Sequence, residues 1–162
     1  MVKAIPEGYH SVTPYLVVND AVAAIDFYKR AFDAKEGYRL QGQDPEGKSI
    51  MHAELKIGDS MVLLSDEFPP GGCISPKSLG GSAVTIHIYT EDVDRVFNQA
   101  ISAGAISIMP VMDMFWGDRY GQFKDPFGHI WSIATHKQDL SQEEIQKAGE
   151  AAMKEMMNSQ KT

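Results

Sequence analysis

Two stretches decide how this chain folds: TPYLVVNDAVAAIDFYKRAF at residues 13–32 and AVTIHIYTEDVDRVFNQAISA at residues 83–103. Each opens on a short run rich in β-branched and aromatic residues, Thr13–Val18 and Ala83–Thr90, which reads as a strand. Each then puts a polar pair, Asn19-Asp20 or Glu91-Asp92, where a helix N-cap is wanted. Behind the first cap, Ala21, Ala24, Ile25, Tyr28 and Phe32 recur at helical spacing. Behind the second, Val93, Val96, Phe97 and Ala100 do the same, so each helix carries one apolar stripe. A constant offset of 72 residues, the step from Ala21 to Val93, superposes the two stripes and carries Thr13 onto Thr85. The chain is therefore a repeat of one unit.

Working outward, Tyr38–Gln41, Ile50–Ile57 and Met61–Ser65 read as strands, separated by turn-rich stretches at 43–47 and 58–60. In the second unit Gly104 suits the end of the helix. Ser107–Val111, Tyr120–Lys124 and Ile130–Thr135 follow as strands, with Asp125-Pro126-Phe127-Gly128 as a tight turn. Each unit thus reads βαβββ: module one over about 10–67, module two over 83–136. Between them, 68–82 holds three Pro and four Gly and is expected to be a connecting loop. Beyond the repeat, Ser141 and Glu144 form a capping box that opens a helix over 140–157. Its weak stripe of Ile145, Ala148, Ala152 and Met156 is suited to packing on the domain or on a partner subunit.

With 162 residues, 43% apolar and 23% charged, the chain has the size and composition of a single globular domain, 1–162. A net charge of -7 argues against a nucleic-acid partner and against anionic membrane surfaces. No apolar run reaches the roughly 18–20 residues of a membrane span. Cys73 is the single cysteine, so no internal disulfide can form. With no secretory pattern in Met1–Tyr9, the expected location is the cytoplasm. No nucleotide-binding glycine motif and no G-x-S-x-G nucleophile turn is present.

Three segments resemble the vicinal oxygen chelate superfamily (glyoxalase, bleomycin resistance protein, dioxygenase). They are Thr13–Val18 with Asp20 and Ala24-Ile25-Asp26-Phe27-Tyr28; Ile86-His87-Ile88-Tyr89 with Glu91-Asp92-Val93-Asp94; and Asp125-Pro126-Phe127-Gly128-His129. Met114–Gly121 further resembles the PhnB-type branch. The resemblance implies an α+β fold in which two βαβββ modules form a curved mixed sheet around a cavity, with a C-terminal helix added. It also implies a homodimer and a small-molecule ligand. Metal-dependent members use four ligands, commonly His or Gln and Glu, and their metal acts as a Lewis acid. Carried onto this chain, those positions fall on Thr13, Ser65, Thr85 and Ser132. Neutral hydroxyls hold transition metals poorly, so no metal and no cofactor is expected, and the four residues become candidate ligand-binding groups with Tyr15 on the opening strand.

Other polar residues can rebuild a site. Alternation puts Ala53 and Leu55 toward the helix, and His52 and Glu54 toward the cavity. It does the same for Ile86 and Ile88 against Thr85, His87 and Tyr89. His52, Glu54 and His87 are therefore the candidate catalytic trio, as acid–base groups or as a displaced metal site; each can equally be a strand residue in ordinary hydrogen bonds. Arg119 suits a two-pronged contact to a carboxylate or phosphate, and Trp116 suits stacking on a planar ligand. An ion pair at the rim and a place in an interface are the plainer roles for these two. Three functions stay open: a metal-free binding protein, a metal-dependent lyase, isomerase or dioxygenase with displaced ligands, and a dimeric interaction module without ligand.

Overall fold

The computed structural model describes residues 2–44 and 47–159; the turn expected at 43–47 therefore falls partly outside the described residues. Module one runs β1 (Tyr15–Val18), α1 (Ala21–Phe32), β2 (Lys35–Gln41), β3 (Ile50–Ile57) and β4 (Ser60–Asp66). A 3-10 turn at Pro69–Gly71 and a short helix α2 (Pro76–Leu79) lead to module two. That module runs β5 (Thr85–Tyr89), α3 (Val93–Ala103), β6 (Ile106–Asp113), β7 (Asp118–Lys124) and β8 (Ile130–His136), and α4 (Gln142–Ser159) ends the chain. The α+β architecture of two βαβββ modules with a C-terminal helix is thus present. The strands form two four-stranded mixed sheets, ordered β1-β4-β3-β2 and β5-β8-β7-β6. In each, the first strand runs parallel to the last and the others pair antiparallel.

The two helices begin where the sequence says they should. Asp20 accepts from the Ala23 N–H at 2.9 Å and Asp92 from the Arg95 N–H at 3.0 Å, each satisfying one otherwise orphaned donor of a first turn. The stripe residues Ala21, Ala24, Ile25 and Tyr28 and their counterparts Val93, Val96, Phe97 and Ala100 are all buried. Helices α1 and α3 pack on each other, tied at the edge by Gln99, which donates to the Arg30 carbonyl (2.8 Å) and to Asp33 (2.9 Å). Phe32 and Tyr28 reach across to Trp131 of the other sheet, with ring centroids 4.8 and 5.5 Å away. One apolar core therefore serves both modules, between the helix-bearing faces of the two sheets.

That core contains a carboxylate. Asp125, in the turn before β8, accepts from the Tyr28 hydroxyl (2.7 Å), the Trp131 indole N–H (2.9 Å), and the backbone N–H groups of Phe127 and His129 (both 2.9 Å). The four donors satisfy a charge that would otherwise be costly to bury. Burial, then the adjacent Asp125, pushes the Tyr28 phenol well above its ordinary pKa. His129 Nε2 also lies 3.0 Å from the Val17 carbonyl, joining this turn to β1.

Several boundaries move. The opening strand starts at Tyr15, not Thr13; Pro14 has no N–H to give to the ladder, though its carbonyl accepts from Leu63 at 2.9 Å. The stretch expected to be plain loop, 68–82, contains a capped helix. The Ser75 side chain accepts from Ser78 N–H, Pro76 occupies the first turn and Gly80 closes it at φ 83°. The capping box of α4 forms as expected, Ser141 Oγ accepting from Glu144 N–H (3.3 Å) and Glu144 accepting from Ser141 N–H (2.8 Å).

Candidate functional site

The faces of the two sheets that point away from the helices carry most of the polar candidates. On module one, Ala53 and Leu55 are buried against α1, which sends His52 and Glu54 to the outer face. Leu16 and Val18 likewise face the core and leave Tyr15 and Val17 outward. The Tyr15 hydroxyl lies 3.0 Å from His52 Nδ1, and His52 Nε2 lies 3.7 Å from Glu54 Oε1. Glu54 also lies beside Tyr9; burial, then that carboxylate, raises the Tyr9 phenol pKa. Tyr15, His52, Glu54 and Tyr9 thus form one chain of polar contacts. Such a chain can pass a proton between an imidazole and a phenol.

Beside this chain is a cavity of about 920 Å³, walled by Tyr15, Val17, Ile50, Met51, Ser65 and Phe68. Its size is that of a small-molecule pocket, and its walls are mainly apolar. Ser65 is only 7% exposed. Its register opposite Val17 puts it on the outer face, and its hydroxyl has no hydrogen-bond partner among the described residues. The hydroxyl oxygen is accessible from the cavity, where it can hydrogen-bond to a bound group. The mouth adds Asp44, Asp66 and Glu67, with Cys73 exposed nearby.

On module two, His87 Nδ1 lies 2.7 Å from Ser132 Oγ. Burial lowers the His87 pKa, partly countered by Asp118. The His87 ring meets Tyr89 edge-on at 4.7 Å and stacks on Tyr120 at 6.1 Å. Asp118, 6% exposed, accepts from Tyr89 (3.1 Å) and Trp116 Nε1 (3.2 Å) and lies 2.8 Å from His136 Nδ1. His136 also reaches Asp139 at 3.0 Å, and these carboxylates, Asp139 first, raise its pKa. The strand alternation foreshadowed His87 and Tyr89. It did not foreshadow the Asp118–His136–Asp139 bridge, because His136 looks solvated when only its place at a strand end is known.

The candidates do not converge on one point. His52 and Glu54 belong to the first sheet and His87 to the second, and no strand pairing joins the sheets. Thr13 lies ahead of β1, where its hydroxyl donates to the His10 carbonyl at 3.1 Å. Thr85 is exposed at the start of β5. Ser65 and Ser132 are not equivalent: Ser65 pairs with Val17, Ser132 with His87, and the 72-residue offset puts His87 on Tyr15. The repeat counterpart of Ser132 is therefore Leu63, which pairs with Tyr15.

Arg119 requires correction as a ligand clamp. Alternation from buried Phe123 and Gly121 puts it on the helix side of β7. There its guanidinium forks onto Asp94 of α3, Nε at 2.6 Å and Nη2 at 2.8 Å, while Nη1 reaches Asp113 at 3.1 Å. Both carboxylates raise its pKa, and the fork is filled by the chain itself. Trp116 is held by Asp118 and sits edge-on to Phe115 and Tyr120.

The hydroxyl set at 13, 65, 85 and 132 does not fit a transition metal. Among the described residues no three His, Cys, Asp or Glu side chains gather as a set that could hold one.

Comparison with known proteins accords with the fold. An uncharacterized protein of Mycobacterium bovis is 46% identical over 141 residues, covering 85% of this chain and 91% of that protein. Protein PA1353 from Pseudomonas aeruginosa superposes with a TM-score of 0.64 at 22% identity, covering 80% of this chain and 99% of its own. A PhnB protein from Bacillus cereus, described as a putative 3-demethylubiquinone-9 3-methyltransferase, gives 0.61 at 17%, covering 78% and 99%. At those identities the two structures speak for the fold alone. The sequence profile of a family matches residues 8–133, and with it the repeat, the topology and the relatives agree: the chain belongs to the Glyoxalase/Bleomycin resistance protein/Dioxygenase superfamily.

Proposed function

We propose that this protein holds a small organic molecule in the module-one cavity, without the transition metal used by metal-dependent members of its superfamily, and that it does so as a homodimer in the cytoplasm. The observation that carries the reading is the cavity itself: about 920 Å³, mainly apolar walls, and the Ser65 hydroxyl open to it as a polar anchor. Thr13, Thr85 and Ser132, with its repeat counterpart Leu63, offer no imidazole or carboxylate, which supports the metal-free part. The homodimer is supported by apolar side chains left exposed on both outer faces, among them Tyr38 and Leu40 on one and Tyr89 and Met112 on the other. A net charge of -7 supports a small ligand over nucleic acid or membrane. The cytoplasm is supported by a lone, exposed, unpaired Cys73; no helix among the described residues is long and apolar enough to cross a membrane.

A second reading is favoured by one observation, the Tyr15–His52–Glu54 chain at the cavity wall. In it the cavity is an acid–base site in which Tyr15 exchanges a proton with the bound molecule, and His52 and Glu54 position and assist it. A displaced metal site built from His52, Glu54 and His87 draws no support from their separation onto two sheets.

Ligand-observed NMR on a library of small apolar fragments tests the principal reading. Fragments should bind the wild type and lose binding in Ser65→Phe, which fills the cavity from its floor. Binding that survives the filling, or one stoichiometric transition metal per chain in freshly purified protein, would overturn it.

A further inference from the structure

The border of the cavity is acidic. Asp44, Asp66 and Glu67 border the cavity, and no Lys or Arg lines it among the described residues. Asp44 accepts from Ser49 N–H (2.7 Å) and Ser49 Oγ–H (2.6 Å). Asp66 accepts from the N–H of Ala21 and of Ile50, both at 2.7 Å. Glu67 accepts from Ser75 N–H (3.0 Å) and Ser78 Oγ–H (2.8 Å). Every one of these donors is neutral, and none of the three carboxylates forms an ion pair with a described residue. Neutral donors hold a carboxylate in its ionised form without removing its charge. Accordingly Asp44, through Ser49 first, and Glu67, through Ser75 first, both have lowered pKa values.

The second observation is independent of the acidic residues. Ser65, only 7% exposed, turns what remains open of its side chain onto the same cavity, where its unpartnered hydroxyl oxygen can accept from an N–H donor. Tyr15 and Phe68 contribute aromatic walls, whose ring faces attract cations. Negative mouth, aromatic wall, apolar interior and an acceptor on the floor select one class of guest.

We propose that the cavity is selective for an organic cation: a protonated amine on an apolar, ring-sized body. The proposal rests on the reading of the cavity as a ligand site and adds the charge of the ligand. The apolar body fills the space between Ile50, Met51 and Phe68. The ammonium group meets Ser65 or the carboxylates at the mouth. Anions of the same shape are repelled, because three carboxylates around one opening make the local potential negative.

Three indoles that differ in one terminal group test this: tryptamine (cationic), tryptophol (neutral) and indole-3-propionate (anionic), titrated by calorimetry at low and at high salt. Tryptamine is expected to bind about tenfold tighter than tryptophol at low ionic strength, and indole-3-propionate weaker than both, with the spread shrinking as salt screens the mouth. Asp44→Asn with Glu67→Gln keeps the neutral hydrogen-bonding geometry and removes two charges. It should bring tryptamine down toward tryptophol and leave tryptophol unchanged. Equal affinities for the three indoles in the wild type, insensitive to salt, overturn the charge selection while the cavity reading stands. Binding of none of them to the wild type overturns the cavity reading and the selection with it. The salt titration is made on the wild type, so the proposal stays open to refutation even if the double variant folds poorly.

Discussion

Replacing Asp125 with alanine should be among the most damaging single changes in this molecule. The carboxylate takes four hydrogen bonds, and two of the donors, the Tyr28 hydroxyl and the Trp131 indole N–H, belong to fully buried side chains. In Asp125→Ala neither donor has a replacement nor ready access to water. Each buried donor left unpaired costs about 1–3 kcal/mol, so the pair costs about 2–6 kcal/mol. That is a large share of the roughly 5–15 kcal/mol that holds a domain folded. At about 2–4 °C per kcal/mol for a chain of this size, a loss near the middle of the range, about 4 kcal/mol, lowers the melting temperature by about 8–16 °C. Calorimetric or circular-dichroism melts measure this directly. A double-mutant cycle isolates the cause. Tyr28→Phe should cost about 1 kcal/mol in the wild type, yet restore stability in Asp125→Ala, because it removes an orphaned hydroxyl. If Asp125→Ala melts within about 2 °C of the wild type, or Tyr28→Phe costs the same in both backgrounds, the carboxylate is not the core's polar anchor.

Three further outcomes are expected. His136 has a pKa raised by Asp139 and Asp118, so its contribution to stability is complete below the unfolded imidazole value of about 6.5 and is lost as pH rises through the raised folded value. Melts across pH 5–8 should show that loss in the wild type, and His136→Gln should flatten it; parallel curves would contradict the assignment. Ser141→Ala removes the cap of α4, costing about 1 kcal/mol locally. Faster hydrogen exchange should be confined to the first turns of α4, with little change in global melting. Arg119→Ala should lower the melting temperature only slightly, as expected for a partly exposed ion pair, and leave fragment binding to the cavity untouched; a loss of binding would put Arg119 back in the site.

The sequence made the two helices legible because their evidence is local. Cap, apolar stripe and terminator lie within a dozen residues, and one offset repeats them. The edges of strands were harder to read. Lys35–Gly37 shows no alternation of its own and becomes strand only by pairing with β3, a contact across the sheet. Helix α2 did carry a signal, Ser75-Pro76 at one end and Gly80 at the other, but four residues are too few to show a period.

The candidate site was legible in part for the same reason. Period-two alternation sends His52, Glu54, His87 and Tyr89 to the outer faces, and it needs only the strand itself. Arg119 was open to the same reasoning: counting back by two from Phe123 reaches Gly121 and then Arg119, all on the helix side. Its partners Asp94 and Asp113 come from α3 and β6, and spacing alone does not pair them. Ser65 stood out only as a family position. What singles it out is a missing partner, which is a property of the folded neighbourhood. The acidic mouth is similar, since Asp44 and the pair Asp66–Glu67 lie more than twenty residues apart and meet only once β3 and β4 pair.

The account's central claim is that the module-one cavity is where this protein takes a small molecule. The most direct measurement is an amide-resolved NMR titration of the wild type with tryptophol, whose lack of charge separates cavity occupancy from electrostatic selection. The account predicts that the largest shifts fall on Tyr15, Val17, Ile50, Met51 and Ser65. Shifts centred instead on His87, Trp116 and Tyr120 of module two, or saturating titrations that leave Ser65 unmoved, would contradict it.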